Sequence, residues 1–71
     1  MSDYTPDETI YTIGMNHQGK HIICVEKFLR DTPDGNVMIK TTMNMELCMP
    51  LTGIYKCRED AEAVIKTLEN K

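Results

Sequence analysis

Residues 37–51 read V-M-I-K-T-T-M-N-M-E-L-C-M-P-L, and their alternation decides the fold. One set of positions is apolar or nearly so: Val37, Ile39, Thr41, Met43, Met45, Leu47, Met49 and Leu51. The other set, Met38, Lys40, Thr42, Asn44, Glu46, Cys48 and Pro50, is mostly polar. A period of two marks extended chain with one face turned to a core. The stretch is too long for one strand, since it would run about 50 Å at about 3.3 Å per residue. It must break near Thr42–Asn44 or at Pro50, which has no N–H to give a ladder. The expectation is a strand over Val37–Met43 and a second extended piece over Met45–Met49.

Upstream, Asp31-Thr32-Pro33-Asp34-Gly35-Asn36 is the clearest turn in the chain. Pro33 presets φ, Asp34 bonds locally, and Gly35 tolerates positive φ. Before it, His21–Leu29 is apolar on both faces, with Ile22, Cys24 and Phe28 on one and Ile23, Val25 and Leu29 on the other. A helix competes for this segment, but its β-branched content favours a strand. Asn16–Lys20, with Gly19, then reads as a hairpin connection from a first strand over Thr9–Met15. Residues 1–8 are polar and acidic and read as a flexible arm, with Tyr4 its one sizeable anchor.

Downstream, Thr52-Gly53 turns the chain into a short strand, Ile54–Lys56. The C-terminal segment is a helix: Ala61, Val64, Ile65 and Leu68 fall at i, i+3, i+4 and i+7. Glu59, Asp60 and Glu62 come early and Lys66 and Lys71 late, matching the helix dipole. Cys57 stands where a Ser or Thr cap belongs, with Asp60 three residues on, as in a degraded capping box. The fold class is therefore α+β. A small antiparallel sheet of about four strands, in β-β-β-β-α order, carries one C-terminal helix on one face; the alternative is a small curled barrel with the same helix. Residues 9–71 form one domain.

At 71 residues, a single core contributes about 3–5 kcal/mol net, so a partner subunit, metal or disulfide set would help. Three cysteines, Cys24, Cys48 and Cys57, are an odd number and form no paired framework. With no secretory signal or long apolar run, the expected compartment is cytoplasmic, with reduced thiols. The net charge of −3 sits at the ends of the chain. A near-neutral middle argues against strong nucleic-acid binding, which depends on phosphate neutralisation.

Several clusters are candidate sites. Met38, Met43, Met45 and Met49 suit core packing, an adaptable binding surface, or soft-metal binding with Cys48. His17, His21 and Cys24, with Cys48 or Cys57, are a conceivable zinc set, though no C-x2-C pair supports it. Cys57 at a helix start could be a reactive thiol beside His17 or His21. No orienting group or oxyanion loop accompanies it, so the reading is non-enzymatic. The four glycines form no phosphate loop, and the sequence calls for no cofactor or metal. Tyr11, Phe28 and Tyr55, with Lys20, Lys27, Lys40 and Lys56, are a conceivable stacking platform for single strands.

The leading expectation is a small protein-interaction domain, a modulator or inhibitor that also self-associates into a homo-oligomer. Its surface would be a sheet face or edge, drawn from Ile22, Cys24, Phe28, Met38, Met43, Met45 and Met49, or the acidic helix residues Glu59, Asp60 and Glu62. An oligomer holding a small molecule at a subunit junction is the alternative. A single-stranded nucleic-acid binder comes third.

Overall fold

The computed structural model describes residues 3–70; Met1 and Ser2, the start of the expected arm, and Lys71 lie outside the described residues. Five strands precede one helix: β1 (Thr9–Met15), β2 (His21–Asp31), β3 (Asn36–Lys40), β4 (Glu46–Pro50), β5 (Ile54–Tyr55) and α1 (Arg58–Glu69). All strand pairs are antiparallel, in the order β4-β3-β2-β1-β5. The expected α+β sheet and C-terminal helix are present. The sheet has five strands because the 37–51 stretch contributes two and Ile54–Tyr55 adds another.

One device closes all three hairpins. Asn16, Thr32 and Thr41 each donate their N–H to the carbonyl four residues on, at 2.9, 2.9 and 2.8 Å. Each of their carbonyls accepts from the residue three on: Gly19, Gly35 and Asn44. Those three donor residues all have positive φ, 79°, 86° and 62°. This is the three-residue loop ending in a left-handed residue, which suits strand twist. The first side chain finishes the turn. Asn16 Oδ1 accepts from the N–H groups of Gln18 and Lys20, Thr32 Oγ1 from Asn36, and Thr41 Oγ1 from Met43 and Met45. The break in the 37–51 stretch therefore falls at Thr41–Met45, near its expected position.

The sheet is strongly curled. Strands about 4.8 Å apart would put β4 and β5 about 19 Å from each other in a flat sheet. Only the 3-10 turn Leu51–Gly53 joins them, and four Cα steps reach at most about 14 Å. The outer strands must therefore swing towards each other. The sheet stays open, since β4 and β5 form no ladder. The barrel alternative thus stops short of closure.

The concave face holds the core: Ile10, Phe28, Val37, Ile39 and Ile54 are buried together, with Tyr4 and Met49 packed against them. A register shift between Phe28 and Arg30 lets β2 bend through this region and carries it to Asp31, beyond the expected end at Leu29. Thr12 is the buried polar side chain on this face, and its hydroxyl donates to Glu26 Oε1 at 2.6 Å.

The arm is built onto the same region. Asp7 N–H donates to Phe28 C=O at 2.8 Å, and Phe28 N–H to Glu8 C=O at 2.9 Å. Tyr4 stacks on Phe28 with ring centroids 5.4 Å apart. Lys56 Nζ lies 5.2 Å above the Tyr4 ring and 3.8 Å from Glu8. Burial, then the carboxylates of Glu8, Asp60 and Asp3 and finally Cys57, raise the Tyr4 pKa.

Helix α1 packs against β1, β2 and β5. Ala61 is fully buried, Val64 and Ile65 are half-buried, and Glu69 comes within 4.0 Å of His21 Nδ1. The expected capping box does not form. Cys57 is the N-cap residue but makes no side-chain bond, because a thiol is a poor acceptor. No helix among the described residues is long and apolar enough to cross a membrane.

Candidate interaction site

Strand β4 is an edge: β3 lies on one side of it and, among the described residues, no strand lies on the other. Its hydrogen-bond phase follows from the hairpin. The Thr41 N–H bond to Met45 C=O fixes that pair as hydrogen-bonded. Antiparallel pairs alternate in type, so Ile39–Leu47 and Val37–Met49 are hydrogen-bonded as well. Lys40–Glu46, Met38–Cys48 and Asn36–Pro50 are the intervening pairs. The peptide groups of Glu46, Cys48 and Pro50 therefore point outward. Two outward N–H donors result, on Glu46 and Cys48, with free outward carbonyls on the same two residues; the Pro50 carbonyl, at the N-cap of the 3-10 turn, accepts the first bond of that turn. Pro50 takes an outward position, so its missing donor costs the β3 ladder nothing.

The side chains along this edge are largely exposed. Met43 is 79% exposed, Met45 57%, Leu47 44% and Leu51 38%. Leu47 shares the core-facing side of the ladder with Ile39, and Met49 with Val37. The alternation that buries Val37 and Ile39 completely thus runs out of cover one strand further on. The opposite side of β4 is polar: Glu46 meets Arg30 Nη2 at 3.5 Å, and Cys48 is an exposed free thiol. An apolar margin beside free backbone donors and acceptors is the arrangement that accepts an added strand. The short strand, the charged Glu46 and Pro50 also moderate it, as edge strands require.

The other candidates distribute differently. Phe28, expected on an interaction face, is 2% exposed and belongs to the core, because the curl and Tyr4 close over it. It is therefore withdrawn from any stacking platform; Lys56 is engaged with the arm, and Tyr11 and Tyr55 remain cross-strand partners. Met49 faces the core, Met38 and Cys24 are half-buried, and Ile22 is 41% exposed. Glu59, Asp60 and Glu62 are exposed, but Glu62 Oε1 accepts from Arg58 Nε at 3.3 Å.

Among the described residues, no three His, Cys, Asp or Glu side chains come together to hold a metal. Strand alternation sends Cys48 and Met49 to opposite faces, which disperses the methionine set. A groove of about 360 Å³ runs between the arm and the β3–β4 hairpin. Lys27 and Lys40 pair across it, but Asp7 and Glu26 line it too, so it has no net field.

Comparison with protein families, with curated proteins and with solved structures gave no match. The site therefore rests on its geometry. Leu47 and Leu51 are the edge residues that the sequence reading left out of the surface. Their period-two placement made them core candidates. The available signal was the position of their strand, last in a meander and followed by a turn.

Proposed function

We propose that this chain is a non-enzymatic protein-interaction domain that takes up a strand from another polypeptide along the β4 edge. The observation that carries this reading is the coincidence of backbone groups unpaired among the described residues of the five-residue edge strand with exposed Leu47 on that strand and exposed Met45 and Leu51 just beyond its two ends. Backbone bonds would supply affinity and the apolar margin selectivity. The acidic helix is a less favoured surface, since Glu59 and Asp60 in its first turn interact with the helix dipole and Glu62 is bonded to Arg58.

The hydrogen-bond phase provides a clean test. Cys48→Pro removes an outward donor and leaves the β3 ladder intact; Leu47→Pro removes an inward donor and should destabilise the fold. Immobilised chain is exposed to an extract of the native host. A stoichiometric protein partner should bind the wild type and a Glu59→Gln variant, and be lost with a folded Cys48→Pro variant. Capture indifferent to Cys48→Pro would overturn the reading.

A further inference from the structure

We infer that the strand received at the β4 edge is β4 of a second copy, running antiparallel about a two-fold axis at Cys48. This rests on the edge reading above and adds the identity and register of the partner.

The edge is complementary to itself in three respects. The first is backbone bonding. With the axis at Cys48, the two Cys48 residues exchange N–H···O=C bonds, and each Glu46 N–H meets the Pro50 carbonyl of the other copy. The two Cys48 donors are satisfied in full, and each Glu46 N–H reaches the second lone pair of a Pro50 carbonyl that already caps the 3-10 turn. Pro50, which has no donor, faces the one position where a donor is dispensable.

The second is apolar pairing. In this register Leu47 lies opposite Met49 of the second copy, and Met45 and Leu51, just outside the strand, flank the two ends of the pairing. The residues exposed at this margin gain apolar cross-strand neighbours.

The third is charge. An axis at Glu46 would place two carboxylates directly opposite, which is destabilising. An axis at Leu47 would leave them diagonal, about 8 Å apart. The Cys48 axis separates their Cα atoms by about 14 Å along the strands, beyond a Debye length of about 8 Å at physiological salt. An axis at Met49 gives the Glu46 N–H no strand acceptor, since its opposite residue, Thr52, lies in the 3-10 turn.

The pairing would join two curled sheets into one continuous sheet, open nowhere along β4. A five-residue edge buries less than the ~1,200 Å² of a standard stable interface. The dimer is therefore weak and concentration-dependent.

The test uses purified chain. Sedimentation equilibrium should show a monomer–dimer equilibrium, with Kd raised at least tenfold in Cys48→Pro. Hydrogen exchange needs no substitution: the amides of Glu46 and Cys48 should gain protection as concentration rises. Hydrogen-bonded cross-strand Cα atoms lie about 5.5 Å apart, so the two Cys48 thiols come within reach of a short bis-maleimide. Treatment of a Cys57→Ser variant with that reagent, which alkylates one thiol at each end, should therefore give a Cys48–Cys48 crosslink by peptide mass. A strict monomer at millimolar concentration overturns this inference, as does a dimer lacking the Cys48 crosslink. If host-partner capture still depends on the edge, the broader proposal survives either result; if Cys48→Pro affects neither capture nor self-association, both fail.

Discussion

Replacing Phe28 by alanine should remove half or more of this protein's stability. Phe28 is 2% exposed and sits where β2 bends, between Ile10 and Ile39, with Tyr4 stacked upon it. Truncating a buried Phe to Ala costs about 3–5 kcal/mol through lost transfer energy and the cavity left behind. For a 71-residue chain with a single core, net stability is about 3–5 kcal/mol. Phe28→Ala should therefore be marginally folded or unfolded at 25 °C. Phe28→Leu keeps most of the volume but loses the Tyr4 stack, and should cost about 1–2 kcal/mol. Ile22→Ala, on the same strand but 41% exposed, is the comparator and should cost about 1 kcal/mol. Urea unfolding followed by circular dichroism measures all three against the wild type. If Phe28→Ala costs no more than Ile22→Ala, Phe28 is not in the core and the curl has been misassigned.

Three further outcomes follow from the packing. Tyr4 has a raised pKa, so its neutral form belongs to the folded state. Its contribution is complete below the unfolded value of about 10 and is lost as pH rises through the higher folded value. The fall in urea midpoint above pH 10 should be shallower in Tyr4→Phe, and an unchanged slope would count against the Tyr4 environment. Thr12→Val keeps the shape of a buried position but removes the hydroxyl from Glu26 Oε1. It should cost about 1–3 kcal/mol in urea unfolding, as expected for a bond to a charged group. Ala61→Leu forces extra methylenes into the fully buried seam between α1 and the sheet. It should lower stability by about 1–3 kcal/mol, whereas Ala63→Leu on the exposed helix surface should be nearly neutral in thermal melts.

Much of the fold was legible because its signals were local. The helix followed from the spacing of Ala61, Val64, Ile65 and Leu68, and β1 from Thr9–Met15. The split of the 37–51 stretch followed from its length alone. The hairpins carried a further signal in N-H-Q-G-K, T-P-D-G-N and T-T-M-N-M. Each begins with a side chain that caps the turn and has Gly or Asn at the left-handed position. Proline and glycine identified the second at once, whereas Thr41–Met45 has neither, and only the length of the stretch put a break near Thr42–Asn44 or at Pro50. The site was harder to see. Period two shows which residues share a face but not whether a neighbouring element covers it. Val37 and Leu47 obey the same rule, yet one is buried and the other 44% exposed. That difference depends on strand order and curl, which are non-local. Phe28 failed as a surface candidate for the same reason, since its cover comes from Tyr4, far back in the chain.

The three-residue link between β4 and β5 also bears on the order of folding. The three hairpins join neighbours in sequence and close over short loops. The β1–β5 pairing joins Thr12 to Ile54, and closing a loop of about 40 residues costs about 3 kcal/mol of chain entropy. Only two residue pairs repay it directly. That pairing therefore forms after the meander has brought β4 round, when the short link delivers Ile54 beside Thr12 and most of the loop entropy has already been lost. Helix α1 starts three residues beyond Tyr55, so its docking waits on the same event. The order to be expected in native-state hydrogen exchange is therefore β5 and the helix opening first and the meander last.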